Sequence, residues 1–238
     1  MIHKKTVSIH QPNYLPWPGF FYKIANSDIF VVFDDVQFPR GKKNNFANRN
    51  RIKTQGGSKW LTIPVQERSS MKLLNEIKIN NELNWKEDHW NSLKSNYSQS
   101  NFFSLFEKSF HQIYQKDWNF LIDFSVELIQ IIMKILKINT KIVFSSKLKV
   151  DQTGTEKLSE IIQKTECNRY LTGTGPGSIK YLEGKEELFF NENIEISFEN
   201  YKQIEYSQLF GDFIPNLSIC DMIFNIGSEK TMSYILKK

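Results

Sequence analysis

Residues 29–33 read Ile-Phe-Val-Val-Phe, an unbroken apolar run of β-branched and aromatic side chains. A run this short and this apolar fits a strand covered on both faces, the setting of a parallel sheet. Ahead of it, residues 6–9 predict a short strand ending at His10, and residues 19–26 a short helix with Phe20, Phe21 and Ile24 on one side. Together they form a βαβ unit, whose crossover is right-handed. Further strands are predicted at 60–65 (Trp-Leu-Thr-Ile-Pro-Val), 77–79, 141–145, 169–172 and 194–198, and residues 38–58 read as a polar loop. Helical periodicity marks 85–97, 102–114 and 118–136, the last of them long and buried. Two more helices follow at 155–165, with Thr153 and Glu156 at capping-box spacing, and at 218–225, with Ser218 as cap and Gly227 as stop.

Strands alternate with helices at both ends of the chain, and helices alone fill the middle. This predicts an α/β fold with a mostly parallel sheet, a core drawn from residues 1–80 and 138–238, and a helical insertion at 81–137. The segment 120–138 is the most membrane-like, but Asp123, Glu127, Gln130, Lys134 and Lys137 interrupt it, so a core helix is expected rather than a span. Residues 1–5 are basic and lead straight into a strand, which does not predict a signal peptide. Two cysteines, Cys167 and Cys220, lack metal-ligand spacing and fit a reducing cytoplasm. A net charge of +5 favours anionic partners.

If the first two strands are parallel neighbours, His10 and Asp34 lie together at the carboxyl edge of the sheet, where ligands bind in open α/β folds. His10 is a candidate general base. Asp34 and its neighbour Asp35 are further candidates; side chains adjacent on a strand point to opposite faces, so they are not read as a dyad. The loop from His10 to Gly19 carries three prolines, and within it Gln11, Asn13, Tyr14 and Trp17 are candidate ligand contacts, the two rings as stacking surfaces. Gly19 is placed to open a helix whose free N–H groups hold phosphate. From Val36 to Gln66 there is no acidic residue, while Arg40, Lys42, Lys43, Arg49, Arg51, Lys53 and Lys59 are interleaved with Asn44, Asn45, Asn48 and Asn50. Guanidinium forks at Arg49 and Arg51, with Asn48 and Lys53, suit phosphate. Thr172, Gly173 and Ser178 belong to a glycine-rich turn after a strand, which matches neither the P-loop nor the dinucleotide fingerprint but admits a ligand closely. His89 and His111 fall in helices without metal-ligand spacing, and no metal site is expected.

The residues His10-Gln11-Pro12, Tyr14-Leu15-Pro16, Gly19, Asp28, Asp34, the run Asn48 to Lys53 and the run Trp60 to Val65 together resemble the WbqC-like family. So do His89, Tyr97, Tyr170-Leu171 with Gly173, and Asn216-Leu217-Ser218 with Asp221 and Asn225. The resemblance covers nearly the whole chain and implies a bacterial, cytoplasmic protein of surface-polysaccharide (lipopolysaccharide O-antigen) biosynthesis. A more distant similarity is to adenylylating enzymes of the nucleotidylyltransferase fold, which implies a Rossmann-type sheet. Those enzymes carry His-x-Gly-His where this chain has Trp17-Pro18-Gly19-Phe20, a departure that weighs against nucleotidyl transfer itself. Combined, the resemblances imply a transferase or amide-forming ligase that attaches an acyl or aminoacyl group, such as glycine, to the amine of a nucleotide-linked deoxyamino sugar. ATP or an aminoacyl-tRNA would supply the donor, making tRNA a conceivable partner. A nucleotidyl- or glycosyl-transferring enzyme of the same pathway, and a non-catalytic sugar-nucleotide-binding protein, remain open alternatives.

Overall fold

The computed structural model describes residues 4–39, 45–66 and 71–237. Five strands form one sheet: β1 (Thr6–His10), β2 (Ile29–Val32), β5 (Lys141–Phe144), β6 (Arg169–Thr172) and β7 (Glu195–Phe198). Their order is β5-β2-β1-β6-β7, and every pairing is parallel. In chain order this is third, second, first, fourth, fifth, the doubly wound Rossmann-type arrangement, with its direction reversing between β1 and β6.

Both faces of the sheet are covered, as the apolar run in β2 requires. Phe30 and Val32 face a large core with α1 (Pro18–Ala25), α2 (Trp85–Tyr97), α3 (Phe103–Gln115), α4 (Leu121–Ile135) and α8 (Ile219–Leu236). Ile29, Val31 and Phe33 face a smaller core with α5 (Gly154–Lys164) and α7 (Glu186–Asn191). A four-residue helical turn, α6 (Pro176–Ile179), follows β6. Among the described residues no helix is long and apolar enough to cross a membrane.

The polar stretch expected to be a loop is half strand. Arg49–Thr54 (β3) and Gly57–Thr62 (β4) pair antiparallel as a hairpin outside the main sheet. Its polar composition masked the pattern, because Asn48, Asn50 and Lys53 are buried here by hydrogen bonding rather than by apolar packing. The strand expected at 60–65 therefore begins earlier and ends at Thr62. Residues 77–79 make only isolated bridges, Val65 to Ile79 and Lys78 to Phe120, and α4 begins at Leu121 rather than near Trp118. Thr153 flanks α5 but its side chain makes no cap bond, whereas Ser218 accepts from the Cys220 amide as expected. Gly227 does not stop α8 but kinks it, at φ 77°, and the helix resumes to Leu236. A Cβ at Gly227 would come within 2.8 Å of the Phe102 ring, so the site needs glycine for both conformation and space.

Two buried polar chains tie the helices to the rest. Asp221 on α8 accepts from Tyr97 (2.8 Å) and Tyr206 (2.7 Å), joining α2 to the segment ahead of α8. Burial outweighs these bonds and raises the Asp221 pKa. Tyr114 and Tyr14 share a hydroxyl contact of 2.7 Å, and the Tyr14 hydroxyl lies 2.9 Å from His89 Nδ1. Burial lowers the His89 pKa to about 4, against a bond to the Thr62 backbone that raises it.

Gly227→Ala should destabilise the protein by about 2 kcal/mol or more, read as a lower denaturation midpoint, since it adds a positive-φ penalty to a steric clash. His89 also makes stability pH-dependent. Its folded pKa lies below the unfolded value, so the unfolded state binds the proton first as pH falls. The linked stability is complete above about pH 6.5 and is lost as pH drops toward 4, by an amount on the order of 3 kcal/mol. Denaturation midpoints of wild type and His89→Gln, measured from pH 7 to pH 4, should converge; parallel curves would show that His89 is not the group responsible.

Candidate functional site

The sequence places His10 at the end of β1 and Asp34 just beyond β2, and the fold makes these neighbours: His10 pairs with Val32, and the Phe33 amide donates to the His10 carbonyl at 2.9 Å. The two side chains nonetheless serve opposite sides of the edge. Asp34 is buried and turned toward the end of β5, where it accepts from Ser145 Oγ (2.9 Å), the Ser146 amide (3.0 Å) and Ser146 Oγ (2.6 Å). Asp35 lies 2.5 Å from Ser145 Oγ and pairs with Lys157 of α5 at 2.8 Å. Both carboxylates reach one serine because β2 ends at Val32; beyond it strand alternation no longer holds. Their oxygens are engaged in closing the β2–β5 end of the sheet.

The other side of the edge is the reversal point between β1 and β6, where an open α/β sheet leaves a crevice. His10 belongs to it. Its Nδ1 lies 2.7 Å from the Gln11 carbonyl, which only accepts, so Nδ1 carries the proton and Nε2 the lone pair. The ring packs edge-on against Phe20, with centroids 5.1 Å apart. Burial first, then the charge of Lys23, lower its pKa to about 3, against the Gln11 bond that raises it. Across the reversal, Thr172 and Gly173 are buried and Ser178 half-buried at the end of β6. A Cβ on Gly173 would lie 3.1 Å from Ser178 Oγ and 3.5 Å from Glu199 Oε1, so the glycine lets these groups close in. Gln11 is half-buried and Asn13 nine-tenths buried at the same corner.

Sequence reading missed two members of this side. Lys23, on α1, is buried, and burial lowers its pKa to about 8 against the raising effect of Glu199. Glu199, one residue past β7, has its pKa raised by burial and lowered by Lys23. An amphipathic helix that carries a lysine on its buried side was the available signal for the first; Glu199 carries none in the sequence.

Several expected contacts lie elsewhere. Tyr14 is fully buried in the His89–Tyr114 chain and offers no stacking face. The Trp17 ring lies over Gly19 and packs on Tyr201 at 5.5 Å, which closes the helix start expected to hold phosphate. Asn48 donates to the Ile63 carbonyl, and Lys53 binds Gln208 and the carbonyls of Gly211 and Asp212, so both are committed to the fold. Arg49 is largely buried with its guanidinium 3.8 Å from the centroid of Trp60; Arg51, half-buried, lies 5.7 Å from the same ring. Phe46 flanks Trp60 at 6.0 Å, and both rings are exposed. Arg40, Lys42, Lys43 and Asn44 lie outside the described residues. Two open grooves of about 520 and 560 Å³ lie away from the sheet edge, around Asn81, Glu82 and Asn119. Asn81 there is already bonded to Trp85 and the Trp118 carbonyl, and Lys86 to Asp117. Among the described residues no group of three or more His, Cys, Asp or Glu is placed to hold a metal ion.

Comparison with known proteins agrees with the resemblance carried by these residues. The chain is 32% identical over 227 residues to uncharacterized protein Rv1507c of Mycobacterium tuberculosis, covering 94% of this chain and 95% of that one. No solved structure matches it. The model of the WbqC-like protein family matches residues 11–233, which takes in His10's neighbour Gln11, the hairpin, the glycine-rich turn and nearly all of α8, and the chain belongs to that family.

Proposed function

We propose that the chain is a cytoplasmic enzyme of surface-polysaccharide assembly. It would join an acyl or aminoacyl group, glycine for example, to the amine of a nucleotide-linked deoxyamino sugar. The observation that carries the reading is His10: a neutral imidazole at the reversal point of the sheet, its tautomer held by the Gln11 carbonyl and its Nε2 lone pair free to accept. An amine must present its lone pair to the acyl carbon and shed a proton as the amide forms. A pKa of about 3 keeps His10 uncharged at neutral pH, so it is always available as an acceptor. It orients an N–H of the amine and is too weak a base to store the proton. The proton therefore leaves with the departing group of the activated donor, an acyl adenylate made from ATP or an aminoacyl ester of tRNA. Gln11, Asn13, Thr172, Gly173 and Ser178 would line the phosphates and sugar, and Arg51 would add a cationic contact from the hairpin.

Product formation decides the reading. The purified protein, a UDP-linked deoxyamino sugar and either glycine with ATP or glycyl-tRNA should yield the N-acylated sugar nucleotide by mass spectrometry. Pyrophosphate release that requires the amino sugar identifies the ATP route. Tight sugar-nucleotide binding with no product from either donor would leave a binding protein instead.

His10→Ala should fold with a melting temperature near that of wild type and lose roughly 10²-fold in turnover. That is the low end for proton-handling groups, because its pKa sits far from the working pH. Wild-type turnover in the stable variant removes His10 from the reaction. Arg51→Ala should weaken sugar-nucleotide binding by about 1.5–3 kcal/mol, the worth of a charge-assisted bond, and flatten its salt dependence. Calorimetric titration at two ionic strengths reads both effects, and an unchanged affinity would leave the hairpin a purely structural element.

A further inference from the structure

Lys23 is a lysine that the fold buries almost to its tip and leaves without a partner. It sits on the face of α1 that packs against β1, its residue is 3% exposed, and only its carbonyl is used, accepting from Ser8 and Ser27. No hydrogen bond or ion pair within the described residues ends on its Nζ. A largely buried lysine left without an ion pair is costly, and an apolar side chain of the same length would pack there at least as stably. Glu199 mirrors it. Its amide is fixed to the Thr172 carbonyl at 2.8 Å, its Oε1 closes on Gly173, and its Oε2 is buried with no partner. Tyr22, next to Lys23, donates to Asn200, next to Glu199, at 2.5 Å, which brings the two segments together; each charge acts on the other and Lys23 also acts on His10, yet no direct ion pair joins the lysine to the glutamate.

We propose that Lys23 and Glu199 receive the two ends of one ligand, an anionic group against the lysine and a primary ammonium against the glutamate. A ligand carrying both signs satisfies both buried groups at once. One whose amine is acylated leaves Glu199 buried and unpaired, and such losses give polar sites their strongest discrimination. Two sources offer this chemistry: a free α-amino acid, through its carboxylate, and an amino-sugar nucleotide, through its phosphates. Only the naming of these sources rests on the acyl-transfer reading; the split pair of charges does not.

Calorimetric titration of the full chain tests it with glycine, glycinamide and N-acetylglycine, and with a UDP-linked deoxyamino sugar and its N-acetyl counterpart. Binding of either amine–anion ligand is expected, with its N-acetyl counterpart at least roughly tenfold weaker. Binding of glycine but not glycinamide assigns the crevice to the free amino acid; binding of the amino sugar alone assigns it to the nucleotide. Lys23→Met and Glu199→Gln should each weaken the bound ligand roughly tenfold or more, and Lys23→Met should melt at or above the wild-type temperature, because it removes an unpaired buried charge. Should a variant fail to fold, the N-acetyl comparison on the wild-type protein still decides. Equal binding of amine and N-acetyl ligands, unchanged affinity in either folded variant, or no binding of either ligand overturns the proposal. Acyl transfer observed alongside any of these results would leave the enzyme reading standing and remove only this pair of roles.

Discussion

The segment between β1 and α1 is buried without being regular, and its backbone polar groups must find partners outside it. Residues 12–16 are all buried, and Leu15 adopts the left-handed region at φ 43°, a strained conformation for a leucine. Three distant parts of the chain supply what the segment lacks. Asn50 of the hairpin donates to the Leu15 carbonyl at 2.6 Å, the Phe46 carbonyl accepts from the Tyr14 amide at 3.0 Å, and the Ile219 amide opening α8 donates to the Pro16 carbonyl at 2.8 Å. Full burial of Leu15 and the hydroxyl chain through Tyr14 offset the strain. The hairpin, the start of α8 and the helical layer are thus arranged around one stretch of chain, and that stretch sets where His10, Gln11 and Asn13 stand.

This arrangement explains why so much of the asparagine- and lysine-rich region is buried. Asn48, Asn50 and Lys53 stand in for a hydrophobic strand face by answering carbonyls. On and beside the hairpin, Arg51, Trp60 and Phe46 form a cationic and aromatic surface that reaches solvent, with the Arg49 guanidinium lying against the Trp60 ring. Charge at the carboxyl edge divides in the same manner. Toward β5 the carboxylates are bonded to serines and a lysine. Toward β6 and β7 a lysine, a glutamate and a neutral histidine lie close together with bonding capacity unused.

Apolar periodicity is local, so the strands of the parallel sheet, the helices from α2 to α4 and the position of His10 at a strand end were legible in the sequence by itself. The adjacency of β1 and β2 and the glycine-rich turn after β6 were legible for the same reason, since βαβ handedness and turn chemistry are written within a few residues. Membership of the family also followed from short motifs spread along the chain. The hairpin was not legible, because its buried face is polar and hydrogen bonds, unlike hydrophobic faces, leave no period. The Gly227 kink was missed because a helix stop and a helix kink ask for the same residue, and only the Phe102 ring beside it distinguishes them. The meeting of Lys23, Glu199 and His10, and the diversion of Asp34 and Asp35 to Ser145, join residues far apart in the chain. Their surroundings depend on which neighbours folding brings close, and that the tertiary structure alone decides.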